Sequence, residues 1–157
     1  MFPKLESKSD ILKMLDEMTA KRKPILEYCR TMNEEQLNNP VYPGTWSILQ
    51  NLSHLAWAEA WMLAWIQTRP NPLSQEERPA DVPLNLPAIS KALDEEHAAM
   101  IAFVKGNPEA VLKEKTLYSK TGEQSVGGVL YHLIGHEVHH RAFIWHKLEK
   151  LLGLKRS

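Results

Sequence analysis

Residues 125–152 read SVGGVLYHLIGHEVHHRAFIWHKLEKLL and predict one long helix. At about 100° per residue, the apolar side chains of this segment fall on a single stripe. The stripe contains Val129, Leu133, Ile144, Leu148 and Leu151. Gly153 marks the end of the helix, because glycine readily adopts the backbone conformation in which helices end. The segment is therefore expected to pack one face against the rest of the chain.

Two further helices are predicted in the first half of the chain. The first begins at a cap provided by Ser7 or Ser9 and is expected to kink near Lys23, just before a proline. Its helically spaced apolar residues are Ile11, Leu12, Leu15, Met18, Ile25, Leu26, Tyr28 and Met32. The second runs from an N-cap at Thr45 to about Gln67 and is apolar nearly all round, which favours a central position.

A proline-rich loop and a third helix follow. Five of the ten prolines lie between residues 70 and 87, which makes a helix or strand improbable there. The third helix is predicted from Pro87 to Lys105, and Gly106 and its neighbours stop it. Beyond it the chain is polar, and residues 120–122 could form a turn between two very short strands.

Four helices and almost no strand signal predict an all-α fold, a four-helix bundle in a single domain spanning residues 1–157. The connection between the second and third helices has about 20 residues and can stretch to roughly 60 Å, twice the length of a 20-residue helix. It can therefore return along the whole bundle. We expect the second and third helices to be parallel, in an up-down-down-up arrangement.

The composition of the 157 residues excludes several classes of protein. Lys plus Arg and Asp plus Glu each number 19, so the net charge of +0 gives no general attraction to nucleic acid. The single cysteine, Cys29, cannot form an internal disulfide, which favours a reducing compartment. No secretion signal is recognised, and the most apolar run, residues 52–66, is broken by Ser53, His54 and Glu59. We expect a cytoplasmic protein that binds neither nucleic acid nor membrane.

Five of the seven histidines lie in the predicted fourth helix. His136 and His140 fall at the edge of its apolar stripe, about 40° apart. Their i, i+4 spacing brings the two Cβ atoms to about 5–6 Å, from which both imidazoles can bind one ion. His132, His139 and His146 point further toward the polar side and are expected at the surface or in contact with the ligands. Two hydrogen-bonded histidines at the edge of the core are the alternative for this pair.

His54 stands alone among the apolar residues of the second helix and shares a stripe with Ala58, Trp61 and Trp65. A buried imidazole needs a polar partner, which a backbone carbonyl could provide. Because His54 and the HxxxH pair both lie mid-helix, a three-histidine site facing the bundle interior is the other solution. Such a site leaves positions open for water or substrate. Tryptophans in such a helix more often pack in the core, but Trp61 and Trp65 share the His54 stripe and are the candidates to wall the pocket.

Two other catalytic patterns compete with this interpretation. Residues 136–140 match the zinc-protease motif H-E-x-x-H, in which Glu137 would be the general base. The helix-breaking glycine of the longer motif is replaced by Phe143, so His146 is carried about 9 Å further along the helix. Cys29 lies in a helix without a pattern that ties it to a histidine, so we expect a buried thiol rather than a nucleophile.

Three segments carry a family resemblance. Residues 44–47 (GTWS), 52–55 (LSHL) and 132–141 (HLIGHEVHHR) resemble the signature segments of the DinB/YfiT-like superfamily of metalloenzymes. The resemblance implies a four-helix bundle, often dimeric, with a nickel or zinc ion. One histidine of the second helix and an HxxxH pair of the fourth hold that ion, and these positions correspond to His54, His136 and His140.

The resemblance also implies a reaction class. Characterised relatives are thiol S-transferases and thiol-dependent isomerases, which suggests a small-molecule substrate, a low-molecular-weight thiol as co-substrate, and a homodimer. A bound divalent ion lowers the pKa of a thiol or water, so a metal-dependent transferase or hydrolase is the first hypothesis. Glu137 and Arg141 would only support the ligands, and no catalytic side chain is identified. A non-catalytic metal-binding or stress-response protein and a purely structural bundle are the alternatives.

Overall fold

Four long helices make up most of the computed structural model, which describes residues 7–69, 73–74, 76–117 and 123–155. The elements in chain order are α1 (Lys8–Arg30), α2 (Glu34–Asn38), α3 (Ile48–Thr68), α4 (Leu86–Gly106), a 3-10 helix (Glu109–Lys113), β1 (Lys115–Leu117), β2 (Glu123–Ser125) and α5 (Val126–Leu152). The four predicted helices are confirmed as α1, α3, α4 and α5. The two strands pair antiparallel, and the turn predicted at residues 120–122 lies outside the described residues.

The helix ends follow from local hydrogen bonding. Ser7 caps α1, which continues through Pro24 as one helix. The N-cap predicted at Thr45 is wrong, because the N-cap lies two residues later at Ser47 and α3 begins at Ile48. There Ser47 and Gln50 exchange side-chain-to-backbone hydrogen bonds in a capping box. Gly153 ends α5 with a φ of 65°, in the left-handed region that favours glycine.

The helices are arranged up-down-down-up, as predicted. One core cluster joins the first halves of α1 and α5 to the second halves of α3 and α4, and the other cluster joins the opposite halves. Because α3 and α4 enter and leave these clusters in the same order, they are parallel to each other and antiparallel to α1 and α5. Helices α1 and α3 each pack against both α4 and α5. Helices α3 and α5 are therefore antiparallel neighbours.

The later, described part of the proline-rich connection runs back along α3, as its length permits. Ser53 Oγ donates to the Val82 carbonyl at 2.8 Å, and Trp57 Nε1 donates to the Pro79 carbonyl at 3.0 Å. Residues 79–82 thus lie beside the first half of α3, although they follow its last residue in the chain. The segment covers the side of α3 that carries His54.

A layer of four buried polar residues separates the two core clusters, and each long helix contributes one of them. They are Arg22, Glu59, His97 and Glu137. Arg22 donates to Glu59 at 2.8 Å and to both oxygens of Glu137 at 2.9 Å. His97 lies with Nδ1 2.5 Å from Glu59 Oε1 and Nε2 2.8 Å from the Leu15 carbonyl. The layer fixes the positions of the four helices relative to one another along the bundle axis, at the level of the histidine site.

No helix of the described residues combines the length and the hydropathy needed to cross a membrane. Cys29 is fully buried in the second core cluster, and burial raises the pKa of its thiol to about 12. The prediction of a buried thiol rather than a nucleophile is therefore confirmed.

Candidate metal centre

The structure brings His54, His136 and His140 together between α3 and α5. One ligand atom from each of the three rings lies within 4.8 Å of the other two, and Nε2 of His54 is 3.0 Å from Nε2 of His136. Two nitrogens bound to one ion at about 2.1 Å are about 3–3.4 Å apart, depending on the coordination angle. The donor set and the spacing of the His54–His136 pair therefore suit a divalent transition metal, and the third nitrogen lies within 4.8 Å of both.

Asn51 orients His140 within this cluster. Its Oδ1 lies 2.9 Å from His140 Nδ1, so that nitrogen carries the hydrogen and leaves the Nε2 lone pair for a ligand. Asn51 is itself held in place, because its Nδ2 donates to the Ser47 carbonyl at 2.9 Å. The sequence analysis missed this residue. The signal that could have identified it is its position, because it is a polar amide one turn before His54 in a mainly apolar helix.

The surroundings keep the three imidazoles neutral. Burial, followed by the neighbouring His140 and His54, lowers the pKa of His136 to about 3. Burial and the nearby His54 lower the pKa of His140 to about 4. Burial also lowers the pKa of His54. At neutral pH each ring therefore retains a lone pair that can bind a cation.

Nδ1 of His136 is buried and has no hydrogen-bond partner among the described residues. The two facing Nε2 atoms of His54 and His136 share one hydrogen at most when their rings are neutral. Without an ion, a single hydrogen bond links His54 to His136, and His140 takes no part in it. A cation that accepts all three lone pairs would satisfy the cluster better than this bond does.

Two tryptophans enclose His54, and they are not the two candidates from the sequence. The Trp46 ring meets the edge of His54 at 5.0 Å and stacks on His140 at 5.9 Å, while Trp57 stacks on His54 at 6.1 Å. Trp61 stacks on Trp57 instead, one turn further from the site. Trp61 and Trp65 pack in the first core cluster, as the favoured interpretation predicted, and do not wall the pocket, because Trp61 lies seven positions, or about 10 Å, further along α3 than His54.

Two clefts meet at the histidines, with Trp46 between them. The cleft on the His54 side has a volume of about 490 Å³ and is lined also by Gln50, Ser53 and the carboxylate residue Asp81. The cleft on the His140 side has a volume of about 400 Å³ and is lined mainly by aromatic rings. A small molecule can therefore approach the cluster from either side.

The other histidines are not members of the cluster, as the helical angles predict, although the His139 ring meets that of His140 edge-on at 5.4 Å and the His132 ring stacks on that of His136 at 6.4 Å. His132, His139 and His146 are exposed on α5, and His146 Nε2 is 3.0 Å from the Tyr42 hydroxyl. His97 belongs to the buried polar layer on α4. The three-histidine cluster thus contains the predicted residues and, among the described part of the chain, no further His, Cys, Asp or Glu that could bind the same ion.

The protease-like interpretation of residues 136–140 does not fit this geometry. The Glu137 carboxylate points into the buried polar layer, where both of its oxygens accept hydrogen bonds from Arg22. Arg141 lies 3.8 Å from the same carboxylate. Glu137 is consequently turned away from the histidines and cannot take a proton from a molecule bound to them.

Comparisons with known proteins agree with the fold. The sequence matches the DinB superfamily over residues 17–144. The structure is similar to that of YfiT from Bacillus subtilis, described as a probable metal-dependent hydrolase with an unusual four-helix bundle topology. The TM-score is 0.73 with 20% identity, over 99% of this chain and 92% of that chain.

Two further solved structures resemble this chain. One is TT2238, described as a four-helix bundle protein, with a TM-score of 0.61 and 24% identity over 87% of this chain and 96% of that chain. The other is a DinB-like protein from Bacillus cereus, with a TM-score of 0.65 and 18% identity over 90% of this chain and 92% of that chain. No curated protein matches the sequence.

Proposed function

This chain belongs to the DinB superfamily, and on that premise we propose that it is a metal-dependent enzyme whose divalent ion, nickel or zinc, is held by His54, His136 and His140. The observation that carries the proposal is the convergence of three neutral imidazoles, two of which approach to 3.0 Å between Nε2 atoms. The probable metal-dependent hydrolase described for YfiT supports the same class of reaction.

The surrounding residues have separable tasks in this proposal. A three-histidine ion with open positions lowers the pKa of a bound water or thiol and so supplies a nucleophile near neutral pH. Asn51 holds the His140 ring in the tautomer that presents Nε2. Trp46 and Trp57 pack their rings against His54 and form walls of its cleft. Asp81, in the cleft on the His54 side, is the carboxylate placed to accept a proton there.

The nucleophile distinguishes the two forms of the proposal. Water gives a hydrolase, and an external low-molecular-weight thiol gives an S-transferase. Cys29 is buried with a pKa raised to about 12 by that burial, so the thiol has to come from outside the chain. The substrate is a small molecule, since the two clefts measure about 490 and 400 Å³. A cytoplasmic homodimer completes the proposal.

A non-catalytic metal-binding protein is the second candidate. The observation that favours it is the position of Glu137, which is the only carboxylate next to the ligands in sequence and is fully engaged by Arg22. This candidate keeps the same three ligands and predicts no turnover.

Metal content and thiol transfer together test the proposal. Protein purified without a histidine tag is analysed for metal, and apo and reloaded samples are assayed with a nitrophenyl ester and with a chlorinated nitroaromatic. The thiol panel contains bacillithiol, mycothiol, coenzyme A and glutathione. We expect metal-dependent turnover that His54→Ala abolishes and the exposed-site control His139→Ala retains. Metal binding without turnover in any assay supports the second candidate, and a protein that binds no metal contradicts both.

A further inference from the structure

Three aromatic side chains stand exposed around the cleft on the His140 side. Tyr42 is 41% exposed, Trp46 46% and Phe143 50%. Single exposed hydrophobic residues are common in proteins, but a group that rims one cavity marks a binding surface. The cavity of about 400 Å³ that they rim has His140 among its lining residues, and we call it the aromatic cleft. Its size suits a small molecule rather than a peptide.

The walls of the aromatic cleft are fixed before any ligand arrives. Lys147 of α5 donates from Nζ to the Pro40 carbonyl at 2.6 Å and to Thr45 Oγ1 at 3.0 Å, which holds the loop before α3 against the helix. Tyr42 lies in this loop, and its ring stacks on His146 with an interplanar angle of 9°. The same loop places Trp46 flat against His140.

Backbone strain in this loop supports a functional role. Val41 has a φ of 67°, which is an unfavourable conformation for a β-branched residue. Its amide donates to Asn39 Oδ1 at 2.8 Å, which helps to stabilise that conformation. Strained conformations of this kind persist where the surrounding structure needs them, often beside a binding site. Here the strained residue directly precedes Tyr42.

We propose that the aromatic cleft binds an aromatic ring of the substrate and so places the reacting group of that substrate at the ion held by His54, His136 and His140. This inference rests on the proposed function and specifies its substrate class. The charged amine of Lys147 is engaged in hydrogen bonds with the loop and is not free to bind a ligand. A ligand in the cleft therefore meets mainly the faces and edges of aromatic rings. Such walls bind a planar apolar group by stacking and edge-to-face contact. Phe143 is then a residue that determines specificity and not a catalytic one.

Hydroxamates test this inference without an assay of activity, since they bind zinc through two oxygens and differ in the attached group. Benzohydroxamate and acetohydroxamate are titrated calorimetrically into zinc-loaded protein. We expect benzohydroxamate to bind at least about tenfold more tightly, because the cleft removes its ring from water. In Phe143→Ala this preference is expected to fall below about threefold. Val138→Ala is the matched control, because Val138 is also exposed on α5 but lies outside the cleft, and it keeps the preference.

Each result has a definite meaning. A zinc-loaded protein that binds neither hydroxamate, or that prefers the phenyl compound equally in Phe143→Ala, overturns the aromatic cleft and leaves the metal site standing. A protein that fails to bind zinc overturns the proposed function and this inference with it. Circular dichroism of Phe143→Ala confirms that the exposed substitution leaves the helices intact.

Discussion

Arg22 of α1 and Glu137 of α5 form a two-point ion pair at the centre of the bundle, with Nε–Oε1 and Nη2–Oε2 distances of 2.9 Å. Both side chains are almost fully buried. Glu137 directly follows His136, whose Nε2 lies 3.0 Å from Nε2 of His54, so the pair fixes the rotation of α5 about its axis at this level. One face of α5 is thereby bound to the core while the adjacent face presents His136 and His140 to α3.

Replacing Arg22 with methionine is expected to destabilise the fold strongly. The substitution leaves Glu59 and Glu137 buried without their shared cation, and removing one partner of such a group costs about 3–5 kcal/mol. Chemical denaturation measures the free energy of unfolding. Arg30→Met is the matched control, because Arg30 is exposed at the end of the same helix, and its cost should stay below about 1 kcal/mol. Equal losses in the two variants would contradict a structural role for the buried layer.

The sequence carries enough information for the helices and for the three histidines. The 3.6-residue periodicity of α5 and the crowded prolines before α4 depend only on local chemistry, so the fold class follows from them. The length of the proline-rich connection permits α3 and α4 to be parallel, and the family resemblance suggests that arrangement. His54, His136 and His140 are recognisable because each interrupts or borders an apolar stripe. For the three side chains to lie together, α3 and α5 must also be neighbours, as they are in this four-helix topology.

The buried polar layer could not be predicted from the sequence in the same way. Its members are far apart in the chain, with Arg22 and Glu137 separated by 115 positions, and no local pattern pairs them. Glu59 was the visible signal, since a charge inside an apolar helix needs a buried partner.

The helical angle of Trp61 was correct, but its distance along the axis excluded it from the site. Similarly, Thr45 and Ser47 are equally good caps, and Gln50 decides between them by completing the capping box.

Removing the Asn51 amide is expected to weaken metal binding without removing a ligand. In Asn51→Leu the His140 ring loses the acceptor for its Nδ1 hydrogen and rotates more freely, and a loss of this kind costs about 10–100-fold in metal affinity. Asn51→Asp keeps an acceptor at the same place and should restore most of the affinity. Zinc titration measures the affinity, and nitrogen NMR of His140 reports the tautomer. An unchanged tautomer in Asn51→Leu would show that Asn51 does not orient the ring.

Metal binding should also survive at lower pH than histidine chemistry normally allows. An unperturbed imidazole has a pKa of about 6.5 and is about 97% protonated at pH 5. Here the pKa of His136 is lowered to about 3 and that of His140 to about 4, mainly by burial, so both remain neutral at pH 5. Because the lowered pKa values of His136 and His140 keep their lone pairs available as pH falls, and the pKa of His54 is also lowered by burial, zinc affinity should fall less from pH 7 to pH 5 than that of a site with three unperturbed histidines. Equilibrium dialysis measures this, and urea-unfolded protein, whose histidines are unperturbed, is the control.

The choice of ligands gives the most direct prediction. His54→Ala, His136→Ala and His140→Ala each remove one of three converging nitrogens, so each should lower zinc or nickel affinity by more than about 100-fold, beyond the usual effect of losing a supporting residue. His139→Ala and His146→Ala should leave it nearly unchanged, because both rings are exposed and His146 is bonded to the Tyr42 hydroxyl. His97→Ala should lower stability, since it removes a buried hydrogen-bond partner of Glu59, but not metal affinity in the folded protein. Isothermal titration of all six variants separates these groups. A loss from His146→Ala as large as that from His140→Ala would mean that the ion is held by a ligand set along α5, as in the protease motif, and not between α3 and α5.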